Sequence, residues 1–307
     1  MDIFIQQLIN GLTLGSVYAV VALGYTMVYG IIQLINFAHG ELVMIGAMVA
    51  FTLIGVLVPK GLNPMVIVLL ATACAIPVCM LVGYAMERLA YRPLRRAPRL
   101  APLITAIGVS IILQHLALLV WTRNNLAFPQ VIKTQSYAIG GATITNVQIA
   151  IMLMSLVMMA GLALLVYRTR LGTAMRATAQ NAQVAGLMGI DINRMIAATF
   201  VIGAALAAVA GVMVGSYYGI AHYQMGALLG LKAFSAAVLG GIGNLPGAML
   251  GGLTLGVVEA LGAGYIGDLT GDVFGSNYQD VFAFLVLIVV LVFRPSGLLG
   301  ERVGDRA

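Results

Sequence analysis

The sequence predicts an all-α polytopic membrane protein of about eight or nine hydrophobic helices, some of them broken or re-entrant. Three observations carry that reading. Of the 307 residues, 61% are hydrophobic and 8% are charged, against roughly 25% charged in an ordinary soluble domain, so there is too little charge to cover a water-facing surface. The apolar runs are long and continuous, whereas an outer-membrane barrel shows alternating strands of roughly ten residues. The cations are also unevenly placed. Twelve of the 16 Lys and Arg fall in three places: five from Arg88 to Arg99, four from Arg168 to Arg194 and three from Arg294 onward. That is the positive-inside pattern of cytoplasmic loops, and it accounts for the net charge of +6 without a nucleic-acid partner.

The hydrophobic segments follow in order. The first runs from about Gln7 to Ile35, the second from Glu41 to Val58, and the third lies at Pro64–Tyr84. Ala101–Trp121, Val147–Tyr167 and Met195–Tyr217 come next. Two short Gly-rich segments, Ala227–Gly241 and Pro246–Ala263, precede a last one at Gln279–Phe293. With the basic segments inside, Pro59–Asn63, Thr122–Asn146 and Gly264–Tyr278 fall outside and the C-terminus falls inside. If every segment spans, the N-terminus is outside; if one segment is re-entrant, the N-terminus can fall inside. No basic stretch precedes the first apolar run and the first cation is Lys60, so a cleaved signal peptide is not expected. The chain, 1–307, reads as one transmembrane domain. It has cytoplasmic loops at about 87–100 and 168–194, an external loop at about 122–146 and a cytoplasmic tail at 294–307. The external loop is rich in β-formers and predicts a small hairpin around Ala138–Ile144, turning at Gly140-Gly141.

Several residues interrupt the apolar background. Cys74 and Cys79 have no His or acidic residue between them, which favours buried apolar thiols over a metal or redox site. The stretch Asn36-Phe37-Ala38-His39-Gly40-Glu41 suggests an interrupted helix whose freed backbone groups need a cavity or a boundary. His39 and Glu41 either cap and pair at a cytoplasmic boundary or line a path, since ionisable residues inside membranes are usually functional. Lys232 and Glu259 either line a path or snorkel to an interface. Glu87 beside Arg88 reads as a surface pair. No Walker A pattern, Ser-His-Asp constellation or H-E-x-x-H motif is visible, so the chain is not expected to be an enzyme.

The basic segment Arg168–Arg194 is longer than a turn requires and mildly amphipathic. Gly172, Gly186 and Gly189 are expected to break it into short helices that either dock on a partner protein or lie on anionic headgroups. Gly203, Ala207, Gly211 and Gly215 recur every four residues, as do Gly243, Gly247 and Gly251, a spacing that lets helix backbones approach closely. An internal echo pairs GLTLGSVYA at Gly11–Ala19 with GLTLGVVEA at Gly252–Ala260, in helices that would run in opposite directions as an inverted repeat requires.

Taken together, GLTLGSVYAVVALGYTMVYGIIQLINFAHGELVMIGA, ERLAYRPLRR, LGTAMRATAQNAQVAGLMGIDINRMIAATFVIGAALAAVAGVM, KAFSAAVLGGIGNLPGAMLGG and RPSGLLG resemble the LivH-type permease subunit of branched-chain amino acid ABC importers. The resemblance runs from about Gln7 to Gly300. It implies a multi-pass subunit of the bacterial inner membrane that pairs with a second, related permease. Two cytoplasmic ATPases that use ATP and Mg would drive the pair, and a periplasmic binding protein would deliver leucine, isoleucine or valine. This chain would bind no cofactor itself. The segment Gln180–Asp191 corresponds to the family's degenerate coupling loop, with Gly189 as the loop glycine and without its acidic position. Arg176, Asn181, Ala182, Ala185, Gly186, Gly189 and Asp191 are therefore the candidate coupling residues. Polar groups at helix breaks, namely Asn36, His39 and Glu41 together with Gly240, Gly241, Gly243 and Asn244, are the candidate substrate path. A stand-alone secondary transporter and an ABC permease for another small substrate are the rival readings.

Overall fold

A computed structural model describes residues 2–95, 97–98, 100–270 and 278–300. The nine hydrophobic segments are all helical: α1 (Asp2–Ile32), α2 (His39–Leu57), α3 (Pro64–Ala85), α4 (Leu100–Val120), α5 (Asn146–Arg168), α8 (Ile192–Tyr218), α9 (Met225–Gly240), α10 (Leu245–Thr270) and α11 (Gln279–Phe293). Among the described residues seven helices are long and apolar enough to cross a membrane, and α9 and α11 are shorter apolar helices. Two amphipathic pieces, α6 (Arg170–Gln180) and α7 (Ala182–Leu187), separate α5 from α8. The expected hairpin forms as β2 (Ser136–Ile139) and β3 (Ala142–Thr145), with Gly140 and Gly141 at φ 55° and 87° in its turn. A pairing the sequence did not announce joins β1 (Leu126–Ala127) to β4 (Ile220–Ala221), antiparallel, with Leu126 opposite Ala221. Parts of the expected loops at 96, 99, 271–277 and 301–307 lie outside the described residues.

Local chemistry sets the ends. Asn63 caps α3 by accepting from Met65 N at 3.0 Å, ahead of Pro64, whose missing N–H costs nothing at a first helical position. Thr145 and Gln148 form a reciprocal capping box at the start of α5. Gly219, at φ +68°, closes α8 in the left-handed conformation. The first helix stops at Ile32, short of the expected Ile35. Gln33 then takes φ +52°, the single positive value among the described non-glycine residues.

The centre of the bundle is α1, in which every residue from Val17 to Leu23 is buried, held between α8 and α10. The α1–α10 seam is built from the two echo sequences. A β-carbon at Gly11 would stand 2.6 Å from Val257 Cα, and one at Gly15 2.8 Å from Leu253 Cα, so the backbones meet at distances only glycine permits. The contacts come in exchanged pairs. Gly11 meets Ala260 as Gly252 meets Ala19, Gly11 meets Gly256 as Gly252 meets Gly15, and Gly15 meets Gly256. These are the contacts generated by a local two-fold axis between Gly15 and Gly256, the relation an inverted repeat requires at this seam.

The two ends of the bundle are distinguishable. Gln6 brackets Thr143, donating to its carbonyl at 3.0 Å and accepting from its N–H at 2.8 Å, so the start of α1 shares a face with the hairpin. At the other end of α1, Gly30 lies against Gly243 in the α9–α10 turn. Residues 294–300 pack on that turn: Leu298 N donates to Leu239 O at 2.8 Å and Leu299 N to Gly240 O at 3.0 Å.

Candidate functional site

The break between α1 and α2 folds back into the bundle and buries its polar side chains. Asn36, His39 and Glu41 are 2%, 2% and 0% exposed. Asn36 Oδ1 accepts from the Tyr91 hydroxyl at 2.6 Å. His39 sits edge-on to Tyr25 with ring centroids 4.8 Å apart, in a slot cleared by Gly24 and Gly203. Glu41 Oε1 accepts from Ser110 Oγ and Gln114 Nε2, both at 2.8 Å and both on α4. The second carboxylate oxygen, Oε2, is buried without a hydrogen-bond partner and faces Gly226 at the start of α9. His39 Nε2 and Asn36 Nδ2 are likewise unpartnered. A buried polar atom without a partner is costly, and here three converge on one helix break.

Ser110 and Gln114 were not anticipated from sequence. Their signal was present: two polar side chains four residues apart on one face of an otherwise apolar segment. One residue past the end of α4, Trp121 Nε1 donates to Thr52 Oγ1 of α2 at 2.7 Å.

The other expected path residues are placed differently. Gly240 and Gly241 lie against the segment 294–300, Gly241 at φ +105°. Asn244 Nδ2 donates to Leu299 O at 2.8 Å, and its Oδ1 accepts from Gly247 N at 3.1 Å. Gly243, at φ +96°, completes the turn. Lys232 and Glu259 do not snorkel. Lys232 is 4% and Glu259 1% exposed, and Lys232 Nζ pairs with Glu259 Oε1 at 2.7 Å and with Asp280 Oδ1 at 2.6 Å. Glu87 is fully buried and does not pair with Arg88, which donates to Tyr84 Oη instead. Successive helical side chains diverge, so Glu87 is met by Arg92 and Arg95 after the chain has bent through a π-turn at Met86–Tyr91. Arg95 also donates to Asn193 Oδ1 at 2.6 Å, in the first turn of α8. Burial holds its guanidinium below the ordinary value, against the opposing pull of the Glu87 charge. Cys79 is buried as expected, but Cys74 is exposed.

The basic segment breaks at Thr169, Asn181 and Gly189. Gly172 and Gly186 lie inside α6 and α7, contrary to expectation. Asn181 caps α7 by accepting from Gln183 N and Val184 N at 3.1 and 3.0 Å. Ala182 opens that helix, and Ala185 is buried. Asp191 caps α8 by accepting from Asn193 N at 3.0 Å, and Gly189 reverses the chain between them at φ +84°. Arg176 lies over the Tyr167 ring, 5.5 Å from its centroid. The tip carries Leu187 at 87% and Met188 at 79% exposure. Of the small-residue series, Gly203 faces His39, Gly211 meets Val43 and Ala47, and Gly215 seats the Phe128 ring. Ala207 is fully buried. Gly247 meets Gly240, and Gly251 meets Ala236.

Among the described residues, seven helices of spanning length and two shorter apolar ones gather around a buried polar break, the architecture of a multi-pass membrane protein. The family described as branched-chain amino acid transport system, permease component, matches residues 7–291, and the chain belongs to it. It is 51% identical over 303 residues to the high-affinity branched-chain amino acid transport system permease protein BraD of Pseudomonas aeruginosa, covering 97% of this chain and 96% of the relative. It is 45% identical over 304 residues to LivH of Escherichia coli, with the same coverage. A probable branched-chain amino acid permease of Methanocaldococcus jannaschii is 26% identical over 93% of this chain and 89% of its own. No solved structure gives a significant match.

Proposed function

We propose that this chain is the membrane-spanning, non-catalytic subunit of an ATP-driven importer that carries leucine, isoleucine and valine across the bacterial inner membrane. It acts beside a second, related permease. Two cytoplasmic ATPases use ATP and Mg, and a periplasmic binding protein delivers the amino acid. The observation that carries this reading is the identity to BraD, 51% over nearly the full length of both chains. The capped α7 with its bare Leu187 and Met188 supports an ATPase contact, because exposed apolar anchors on a rigid short helix suit a partner's groove. The segments 168–194 and 294–300 then lie on the cytoplasmic side and the hairpin lies outside.

Transport proceeds by alternating access. The loaded binding protein docks on the outer loops, and ATP binding opens a path through the bundle. The ATPases' movement passes through α6 and α7 to the spans. A branched-chain amino acid carries an ammonium, a carboxylate and an apolar tail, so its path needs apolar walls with a few polar groups at a break. Asn36, His39 and Glu41 meet that requirement better than Gly240, Gly241, Gly243 and Asn244, which the segment 294–300 engages.

Reconstitution with the partner permease, ATPases and binding protein tests the reading. Labelled leucine uptake should require ATP and fall in excess isoleucine or valine. ATP turnover without leucine uptake would retain the permease and reassign its substrate. Uptake by this chain alone, indifferent to ATP, would favour a secondary transporter.

A further inference from the structure

The residues that follow α3 touch two separate parts of the bundle. On one side they lie along the first turns of α8. Arg95 donates to Asn193 Oδ1 at 2.6 Å, and the Tyr91 ring lies on Phe200 with centroids 5.2 Å apart. Asn193 and Phe200 are two turns apart, about 10 Å along one face of the helix. On the other side the Tyr91 hydroxyl donates to Asn36 Oδ1 at 2.6 Å, in the break between α1 and α2. The segment between these contacts is braced. Met86–Tyr91 is a π-turn, and its buried Glu87 holds the following residues back: Arg92 Nε lies 3.8 Å from Glu87 Oε1, and Arg95 donates to the same oxygen. One guanidinium therefore serves two acceptors, Glu87 through Nη2 and Asn193 through Nη1. Because that group is a planar fork of fixed geometry, a shift of Asn193 draws Arg95, and through Glu87 the π-turn.

The start of α8 is in turn an extension of the coupling helices. Only residues 188–191 separate α7 from α8. Ile190 N donates to Ala185 O at 3.1 Å, and Asp191 caps α8 by accepting from Asn193 N and Arg194 N at 3.0 and 3.2 Å. Asn193 is thus held twice, its backbone by the cap and its side chain by Arg95. The Tyr91 hydroxyl has no part in fastening the segment to α8. Gly83 packs against Phe200 and Ala204, and the Tyr91 ring covers Phe200, so a phenylalanine would serve that packing equally well. The hydroxyl serves Asn36 alone.

We infer that Arg95 and Tyr91 are positioning residues of the transport cycle, which carry a displacement of α7 from the first turn of α8 sideways to the α1–α2 break at Asn36. The movement enters at Asn193, passes through the Arg95 fork to Glu87 and the π-turn, and leaves by the Tyr91 hydroxyl. The break is the element most open to such a pull. Asn36 Nδ2, His39 Nε2 and Glu41 Oε2 are buried there without hydrogen-bond partners, an arrangement costly enough that a small displacement which pairs them is favoured.

This inference rests on the importer reading above, and the test separates the two. Asn193→Ala removes the acceptor for Arg95 and leaves the Arg95–Glu87 pair, while Tyr91→Phe removes the hydroxyl and leaves the ring on Phe200. In the reconstituted complex each should lower the leucine carried per ATP hydrolysed about fivefold, the loss of one hydrogen bond. The double variant should be no worse than either single one, because the two bonds act in series. Asn193→Asp, which keeps an acceptor for Arg95, should restore the ratio. Tyr84→Phe removes a bond of the same kind, from Arg88, that lies off this route, and should leave the ratio unchanged. A second measurement needs no transport: in the purified protein in detergent, Asn193→Ala should speed amide hydrogen exchange at residues 33–41 several-fold. A parental ratio in either Asn193→Ala or Tyr91→Phe, an equal fall in Tyr84→Phe, or exchange at 33–41 indifferent to Asn193→Ala overturns the inference. Failure of the unsubstituted complex to take up leucine under ATP overturns the importer reading instead, and the exchange measurement then decides the mechanical link by itself.

Discussion

The Tyr18 hydroxyl donates to Glu259 Oε1 at 3.3 Å, and these two residues occupy the same position in the two echo sequences. GLTLGSVYA and GLTLGVVEA differ at two places: Ser16 against Val257, and Tyr18 against Glu259. The local two-fold symmetry of the α1–α10 seam is therefore broken where a buried charge is installed. Lys232 completes the group, 5.8 Å from the Tyr18 ring centroid and paired with Glu259 and Asp280. The cluster ties α9, α10 and α11 to α1 in a region where an isolated charge would be expensive.

Removing the cation should be the most damaging change at this cluster, because it leaves two carboxylates facing each other without their partner. Lys232→Met is expected to lower stability by about 3–5 kcal/mol. Thermal unfolding of the purified protein in detergent reads this directly. Tyr18→Phe, which removes one hydrogen bond, should cost about 1 kcal/mol. A Lys232→Met protein as stable as the parent would mean the cluster holds nothing together.

Substitutions on the α1–α10 seam probe close approach alone. Gly15→Val or Gly256→Val adds branched carbons where a single β-carbon already meets backbone. Overpacking of this kind costs about 1–3 kcal/mol or more, and monodisperse yield by size-exclusion chromatography should drop sharply. Gly55→Val, at a position with nothing within 4 Å of an added β-carbon, is the matched substitution that should leave yield nearly unchanged.

Leu187 and Met188 stand out at the tip of α7, with nothing among the described residues covering them. Leu187→Asp should weaken retention of the proposed ATPase subunits on the tagged permease by about thirtyfold, the loss of a 2 kcal/mol anchor. Folding should be untouched, since the side chain is 87% exposed. Co-purification at several salt concentrations checks this, and undiminished retention would place the ATPase contact elsewhere.

Asn244 is the side chain that joins the α9–α10 turn to the segment 294–300. Asn244→Ala removes the bond to Leu299 O and the cap on Gly247 N, and should cost about 1–2 kcal/mol. Faster proteolysis within 294–300 is the specific expectation, because that segment is held by this bond and two backbone bonds.

The nine helices were legible because a membrane span announces itself by length and apolarity alone, and the hairpin by its Gly140-Gly141 turn. What the sequence left open depends on contacts across the fold. That Glu87 would find Arg95 and not Arg88 follows from the π-turn that swings residues 92–95 back over it. Ser110 and Gln114 look unremarkable until α4 is laid beside α2 and their donors are seen to converge on Glu41. The basic segment breaks at Gly189 as expected and also at Thr169 and Asn181, whose side chains cap α6 and α7, while Gly172 and Gly186 are absorbed inside those helices. Asn36, His39 and Glu41 were visible as an interruption, but their burial among other helices depends on how the chain folds back after Ile32.

The glycine-lined face of α1 has a consequence for biosynthesis. Its complementary surface on α10 is encoded roughly 240 residues later, an interval of about 12–50 s at ordinary rates of translation. Throughout that time the first helix sits in the bilayer with its partner not yet made, its small residues offering lipid a shallow groove instead of a side-chain ridge. α10 is therefore added late against the central helix, while α11, with Ala283 its one buried residue among those described, is added at the rim. A factor that shields that groove during synthesis would act on the half-made protein and have no site left on the finished one.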